Sequence, residues 1–161
     1  MIRNALDFNQ DGQLDLAERR SARIILYGQS FGGAAVVKLA RELEALEVPV
    51  LLTVQVDSVG RRDGVIPPNV ACAANLYQDE GLFIRGEKPI RAEDSFRTTI
   101  LGNFDYDYRE KAIDLSQVSW MKKFARTAHT KMDFDPEVWA RVEGMILHAI
   151  KTGGCGEPAA P

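Results

Sequence analysis

The sequence predicts an α/β protein with a mostly parallel sheet and flanking helices, and the stretch from residue 24 to 57 carries that prediction. A short apolar run at 24–27 precedes a segment, Gly32 to Leu46, whose apolar residues recur at helical spacing. The run "VPVLLTVQVDSV" that follows is a continuous stretch of β-branched residues and leucine that ends at Asp57, which is typical of a parallel strand covered on both faces. Strand, helix and strand in about 35 residues make a βαβ unit.

The remaining elements follow in chain order. We expect "VACAANLYQ" to begin as helix and to end as a third strand, "GLFIRGEKPIRA" to form a hairpin or an ordered excursion, and "FRTTILGNF" to be a fourth strand. "LSQVSWMKKFARTA" predicts a short amphipathic helix and "HTKMDFD" a loop. Asp135 and Pro136 then supply the N-cap and the first position of the last helix. Its apolar face is predicted to comprise Val138, Val142, Met145, Ile146, Ala149 and Ile150.

Composition narrows the classes of protein. The 161 residues are 45% hydrophobic and 27% charged, as in an ordinary globular protein. The net charge of −3 gives no general affinity for nucleic acid or an anionic membrane. No apolar run reaches the roughly 20 residues that span a bilayer. The first residues lack the apolar core of a secretory signal, and the compartment stays open.

Three segments are expected along the chain. Residues 1–22 form an acidic segment, 23–151 the α/β domain, and 152–161 a disordered tail. Cys72 and Cys155 are the two cysteines, and the second lies in that tail, "GGCGEPAAP". We therefore expect neither a disulfide framework nor a cysteine metal site.

The motif "YGQSFGG" places one hydroxyl between glycines where a strand gives way to a helix. Gly28, Ser30 and Gly32 fit the pattern G-x-S-x-G, in which small residues let a tight turn close around an exposed nucleophile. The amide of Phe31 and the positive end of the helix dipole would face an oxyanion beside Ser30. The alternative is a glycine-rich turn whose serine only caps the helix.

A serine nucleophile needs a base and an acid. His148 lies mid-helix off the apolar stripe, so His129, in the predicted loop before the last helix, is the candidate base. Asp57 ends the long buried strand, on the edge of a parallel sheet where ligands bind, and is the preferred acid. Asp105 and Asp107 in "NFDYDY" remain competing acids.

Together, "LYGQSFGGAAVVKLARELE", "VPVLLTVQVDSVG" and "AHTKMDFDPEVW" resemble the α/β-hydrolase superfamily, and more narrowly a group of poorly characterised bacterial lipase-like or esterase-like proteins. The resemblance covers roughly residues 23–150. It implies a Ser30 nucleophile, a His129 base and an Asp57 acid. Such enzymes have several strands before the elbow, the serine turn that corresponds to Gly28–Gly33, whereas here only residues 1–22 precede the segment that contains the elbow and its strand. We therefore expect the chain to be the C-terminal part of such a domain, lacking the amino-terminal strands, with an oligomer or missing region covering the open sheet edge.

The segment "DFNQDGQLDLAE" has the spacing of an EF-hand calcium loop. Oxygen ligands are needed at positions 1, 3, 5, 7, 9 and 12, with glycine at position 6, here Gly12. The predicted ligands are Asp7, Asn9, Asp11, Gln13 through its carbonyl, Asp15 and Glu18. One unpaired loop with short flanking helices indicates a weak, structural Ca²⁺ site. The alternative is an acidic turn that binds nothing tightly.

The sequence thus favours a serine hydrolase acting on a carboxylic ester or lipid-like acyl substrate, with structural Ca²⁺ and no organic cofactor. A non-catalytic calcium-binding or interaction module on a reduced hydrolase scaffold is the alternative. A doubly wound phosphate-binding domain is disfavoured because the glycine turn has neither a lysine nor a GxGxxG pattern.

Overall fold

A computed structural model describes residues 2–80, 89–116 and 128–156. The helices are α1 (Ile2–Leu6), α2 (Leu16–Ser21), α3 (Phe31–Glu44), α4 (Ala128–Asp133) and α5 (Pro136–Thr152). The strands are β1 (Ile24–Gln29), β2 (Val50–Val56), β3 (Val65–Ile66), β4 (Val70–Tyr77), β5 (Arg91–Ala92) and β6 (Thr99–Asp105).

The main sheet has four strands in the order β1-β2-β4-β6, and every neighbouring pair is parallel. The prediction of an α/β fold with a mostly parallel sheet and flanking helices is confirmed. β2 lies between two neighbours and is almost wholly buried, as its run of β-branched residues and leucine predicts. β3 and β5 form a separate two-stranded parallel sheet.

Each face of the main sheet carries its own hydrophobic core. On one face, α3 contributes Val37, Ala40 and Leu43 to a core that includes Ala73 of β4. On the other face, α4 and α5 pack over the alternate residues of β2 and β4. The residues that α5 buries there are Val138, Val142, Met145 and Ala149. The helices therefore cover both faces and leave the carboxyl ends of the strands at one edge.

Three local predictions need correction. "VACAANLYQ" does not begin as helix, because Val70–Tyr77 is one strand inserted between β2 and β6, where burial overrides the helical preference of alanine. "HTKMDFD" is not a loop throughout, because α4 covers Ala128–Asp133 and buries Ala128 and Met132, one helical turn apart. Ile150 is 62% exposed and does not belong to the apolar face of α5.

Cys72 and Cys155 form a disulfide, with Cα atoms 5.4 Å apart, and this pairing contradicts the expectation from the sequence. Cys72 is buried in β4, and Cys155 follows the end of α5. α5 ends at Gly153, whose left-handed φ of 67° turns the chain back. Residues 152–156 of the expected disordered tail are thus part of the fold, whereas 157–161 lie outside the described residues.

Other predictions fall on residues that the structure does not describe. The hairpin expected in "GLFIRGEKPIRA" lies mostly within 81–88, and the amphipathic helix in "LSQVSWMKKFARTA" mostly within 117–127. In the described ranges, no helix is long and apolar enough to cross a membrane.

Candidate active site

Ser30 occupies the turn between β1 and α3 in a strained backbone conformation. Its φ of 58° and ψ of −126° are rare for a residue with a side chain. The turn is held by the Ser30 amide, which donates to the carbonyl of Val56 at 2.9 Å. The Ser30 side chain makes no capping hydrogen bond to α3, which argues against a mere capping serine. Ser30 thus lies on a sharp turn, and its side chain lacks the capping hydrogen bond that would give it a purely structural role.

Glycine is needed at Gly28 because the turn folds back onto it. A Cβ placed on Gly28 would lie 2.4 Å from the carbonyl oxygen of Gly32. A Cβ on Gly32 would meet nothing within 4 Å, so this second glycine of the motif is not demanded by space. Gly33 is the other constrained position, because its Cβ would lie 2.6 Å from the Cβ of Ser58. Close packing therefore requires glycine at Gly28 and Gly33 but not at Gly32.

Asp57 and His129 meet at the carboxyl edge of the sheet. Asp57 directly follows β2, and His129 lies in the first turn of α4. His129 Nδ1 is 2.5 Å from Asp57 Oδ2, with the carboxylate fully buried and the imidazole 16% exposed. A ring nitrogen bound to a carboxylate leaves Nε2 to act on a nucleophile. The contact predicted between these residues is present; their catalytic roles remain predictions.

The competing acids do not take this place. Asp105 and Asp107 lie at and just beyond the end of β6, which is separated from β2 by β4. Asp107 is bound by the Arg109 side chain, with Nε 3.0 Å from its Oδ2, and this contact lowers the pKa of Asp107. Asp57 is therefore the carboxylate that His129 contacts.

Ser30 and Asp57 are brought to adjacent strand ends by the parallel pairing of β1 with β2. The Ser30 amide bonds to Val56, the residue before Asp57, and the Val59 amide reaches the Ser30 carbonyl at 3.4 Å. Among the described residues, no hydrogen bond joins the Ser30 hydroxyl to His129. Catalytic hydrogen bonds are often long without a ligand and tighten in the complex, so this does not exclude the pair.

The loop after Asp57 is clamped against the first turn of α3. Ser58 Oγ donates to Asp63 Oδ2, and both residues are buried. Gly60 lies so close to the helix that an added Cβ would be 2.0 Å from the Cβ of Ala34. Together with the contact between Gly33 and Ser58, this packing fixes Asp57 relative to the elbow.

Gln78 was not identified from the sequence, yet it contacts the candidate acid. Its Nε2 lies 3.3 and 3.2 Å from the two carboxylate oxygens of Asp57, and both side chains are fully buried. Gln78 follows the end of β4, as Asp57 follows the end of β2. The rule that selected Asp57, a polar residue at the carboxyl end of a buried parallel strand, would also have selected Gln78.

A second polar cluster fixes the junction between α4 and α5. Asp135, the N-cap of α5, accepts from Tyr108 Oη at 2.7 Å and lies 2.7 Å from Lys111 Nζ. Burial opposes the ionised carboxylate, but the hydrogen bonds from Lys111 and Tyr108 prevail and hold the pKa of Asp135 below its ordinary value. Burial, followed by the bond to Asp135, raises the pKa of Tyr108. An ionised carboxylate thus anchors the segment that carries His129.

The acidic loop has the turn geometry of the calcium motif. Gly12, at position 6, has a left-handed φ of 80°. The Asp7 carboxylate accepts from the amides of Asp11 and Gly12 at 3.1 and 2.8 Å. The Gln13 amide donates to the Asp11 side chain at 2.8 Å. These side chains therefore face the interior of their own turn.

Glu18 closes the acidic loop from its far end. Its carboxylate accepts from the amides of Phe8 at 2.8 Å and Asp15 at 3.0 Å, and the Asp15 side chain caps α2 in return. The loop's oxygen donors suit Ca²⁺ chemically. In residues 2–80, 89–116 and 128–156, however, no three or more His, Cys, Asp or Glu side chains are grouped to hold a metal ion. Calcium binding by this loop remains a prediction.

A cavity of about 800 Å³ lies beside α3, and its lining does not include Ser30, Asp57 or His129. Its walls are mainly apolar, and its charged groups are all cationic. It is lined by Ala34, Ala35, Val37, Lys38, Arg41, Arg61, Arg62 and Val65. It is a feature of the helix flank, separate from the candidate active site.

No family model, curated protein or solved structure matches this chain.

Proposed function

We propose that this protein is a serine hydrolase of the α/β-hydrolase type, acting on a carboxylic ester or lipid-like acyl substrate. The proposal rests on Ser30, which has a strained backbone and a side chain that makes no capping hydrogen bond, and which lies at the sheet edge where Asp57 binds His129. A strained non-glycine backbone persists only where surrounding structure imposes it, and such residues cluster at active sites.

The proposed reaction is acyl transfer in two steps. His129 Nε2 accepts the hydroxyl proton as Ser30 Oγ bonds to the acyl carbon, and the proton then passes to the departing alcohol oxygen. His129 then accepts a proton from water as the water oxygen bonds to the acyl carbon, and it returns that proton to Ser30 Oγ as the bond between Oγ and the acyl carbon breaks and the carboxylic acid leaves. Asp57 holds the imidazole through Nδ1 and stabilises its protonated form. The Phe31 amide at the start of α3 is a donor for the oxyanion.

Labelling with a fluorophosphonate probe tests the nucleophile directly. We expect covalent labelling of the wild type, none in Ser30→Ala, and unchanged labelling in Ser95→Ala, which alters an exposed serine away from the triad. His129→Ala should greatly slow the reaction because Ser30 loses its base. No labelling of a folded wild type, or equal labelling of Ser30→Ala, refutes the proposal.

A non-catalytic module is the second candidate, favoured by the lack of a Ser30–His129 hydrogen bond among the described residues. A non-catalytic protein would bind Ca²⁺ without reacting with the probe. In either case we propose that Asp7, Asn9, Asp11, Gln13, Asp15 and Glu18 hold a structural Ca²⁺ ion. Ligation would have to draw the carboxylates together from the amides that they now contact.

We also propose that an oligomer covers the outer edge of β1. The strand order places β1 at one side of the sheet, and within the described residues no strand pairs with its outer edge. Tyr27 on this strand is 58% exposed. An open apolar edge promotes association with another strand. Sedimentation of a stable monomer at high protein concentration would refute the oligomer.

A further inference from the structure

We propose that Gln78 is a positioning residue of the active site, which holds the Asp57 carboxylate in the orientation that binds His129. This inference rests on the proposed function for its catalytic meaning. Its geometric content, that the Asp57–His129 contact depends on Gln78, can be tested independently of any activity.

The first support is the contact itself. Asp57 is fully buried, and a buried carboxylate without enough donors is costly, so each donor that it keeps constrains its position. The Gln78 amide lies 3.3 Å from Oδ1 and 3.2 Å from Oδ2, so it is placed between the two oxygens. His129 Nδ1 is 2.5 Å from Oδ2. Rotation of the carboxylate would weaken both contacts together.

The second support is that the orientation of Gln78 is itself fixed. Its Oε1 accepts from the Glu80 amide at 2.8 Å, which directs Nε2 rather than Oε1 toward Asp57. The Glu80 carboxylate in turn accepts from the Tyr108 amide at 2.6 Å. Gln78 therefore does not rely on Asp57 alone to hold its rotamer.

The hydrogen bonds that link Gln78 to Glu80 and Glu80 to Tyr108 also extend to α4, the helix that carries His129. Lys131, two residues after His129 on α4, donates to the carbonyl of Tyr108 at 2.7 Å. Gln78 is thus tied to Asp57 directly and, through Glu80 and Tyr108, to the element that carries the base. Its position beyond β4 links the two residues that the proposed mechanism requires in contact.

The test is proton NMR of the bridging proton between His129 Nδ1 and Asp57, which should appear as a low-field resonance because it is shared in a short, charge-assisted bond. The chain has only two histidines, so His148→Asn makes the assignment. We expect the resonance in the wild type and its loss or upfield movement in Gln78→Met, which keeps the length of the side chain and removes the donor.

Asn69→Leu is the matched control. The side-chain amide of Asn69 also donates two hydrogen bonds, to the carbonyls of Ala40 at 2.9 Å and Val48 at 3.0 Å, but Asn69 precedes the amino end of β4, whereas Gln78 follows its carboxyl end. The low-field resonance of Asn69→Leu should stay as in the wild type. If Gln78→Met does not fold, Gln78→Asn serves instead, because an amide one methylene shorter cannot reach Asp57 and should give the same loss.

Probe labelling supplies the second measurement. Misplacement by about 1 Å can slow an enzyme by about 100-fold, so labelling of Gln78→Met should be slower than that of Asn69→Leu by roughly 10- to 100-fold. An unchanged resonance in Gln78→Met, an equal change in Asn69→Leu, or no low-field resonance in the wild type overturns the inference. A resonance that depends on Gln78 in a protein that never labels would support the positioning role and refute the proposed hydrolase.

Discussion

Removal of the disulfide should cost a large part of the stability of this protein. Cys72 and Cys155 are 83 positions apart, so the bond closes a long loop in the unfolded chain. The chain-entropy relation then gives about 15 cal/mol/K, or about 4.5 kcal/mol at 25 °C. For a domain of this size, that corresponds to a fall in Tm of roughly 9–18 °C.

The sharpest variant is Cys155→Ala, because Cys155 is exposed and its truncation leaves no cavity in the core. Cys72 is 1% exposed, so Cys72→Ala should cost more, since it adds a cavity to the lost cross-link. Urea unfolding of the oxidised wild type and of both variants measures the differences. Reduction of the wild type should match Cys155→Ala and leave Cys72→Ala unchanged.

Two outcomes would contradict the predicted effect of the disulfide on stability. If Cys155→Ala and the reduced wild type unfold within about 1 kcal/mol of the oxidised protein, the disulfide does not constrain the unfolded chain as the entropy relation requires. If the protein, purified without reductant, titrates with two free thiols, the pairing itself is wrong.

Three further predictions concern the elbow, the α4–α5 junction and the acidic loop. Gly28→Ala should destabilise the protein by about 1–3 kcal/mol and abolish labelling of Ser30, because the new Cβ would clash with the Gly32 carbonyl oxygen. Gly32→Ala is the control and should fold and label as the wild type does, because its Cβ would meet nothing within 4 Å. Chemical denaturation measures the stability of both variants, and the fluorophosphonate probe measures their labelling. Because the folded pKa of Asp135 lies below 3.8, its stabilising contribution should be complete above that pH and be lost as the pH falls through the folded value. The stability advantage of the wild type over Asp135→Asn should therefore shrink in acid, and an advantage that persists at low pH would contradict the ion pair with Lys111. Millimolar Ca²⁺ should raise the Tm of the wild type more than Mg²⁺ does, and a hundredfold excess of Ca²⁺ over Kd should add about 2.7 kcal/mol to the free energy of unfolding. Glu18→Ala should show no such rise. If the wild type shows neither a rise in Tm nor heat in a calcium titration, the segment is an acidic turn that binds no Ca²⁺.

Features whose causes lie within a few residues of one another can be predicted from the sequence alone. The β-branched and leucine-rich run of β2 predicts a central parallel strand, and the structure buries it between β1 and β4. Asp135 and Pro136 predict the start of α5, and the Asp135 side chain accepts from the Glu137 amide there. The elbow was likewise visible as glycines around Ser30, because a tight turn imposes its steric demand locally.

Contacts between residues that are distant along the chain depend on how the strands and helices pack. His129 is 72 positions from Asp57, and the choice of Asp57 over Asp105 or Asp107 follows from the strand order, which local spacing does not encode. Burial between two strands, not propensity, made Val70–Tyr77 extended throughout. The Gln78–Asp57 contact and the Cys72–Cys155 disulfide were not predicted, for the same reason. Each joins two residues that are far apart along the chain and are brought together only by the packing of the sheet.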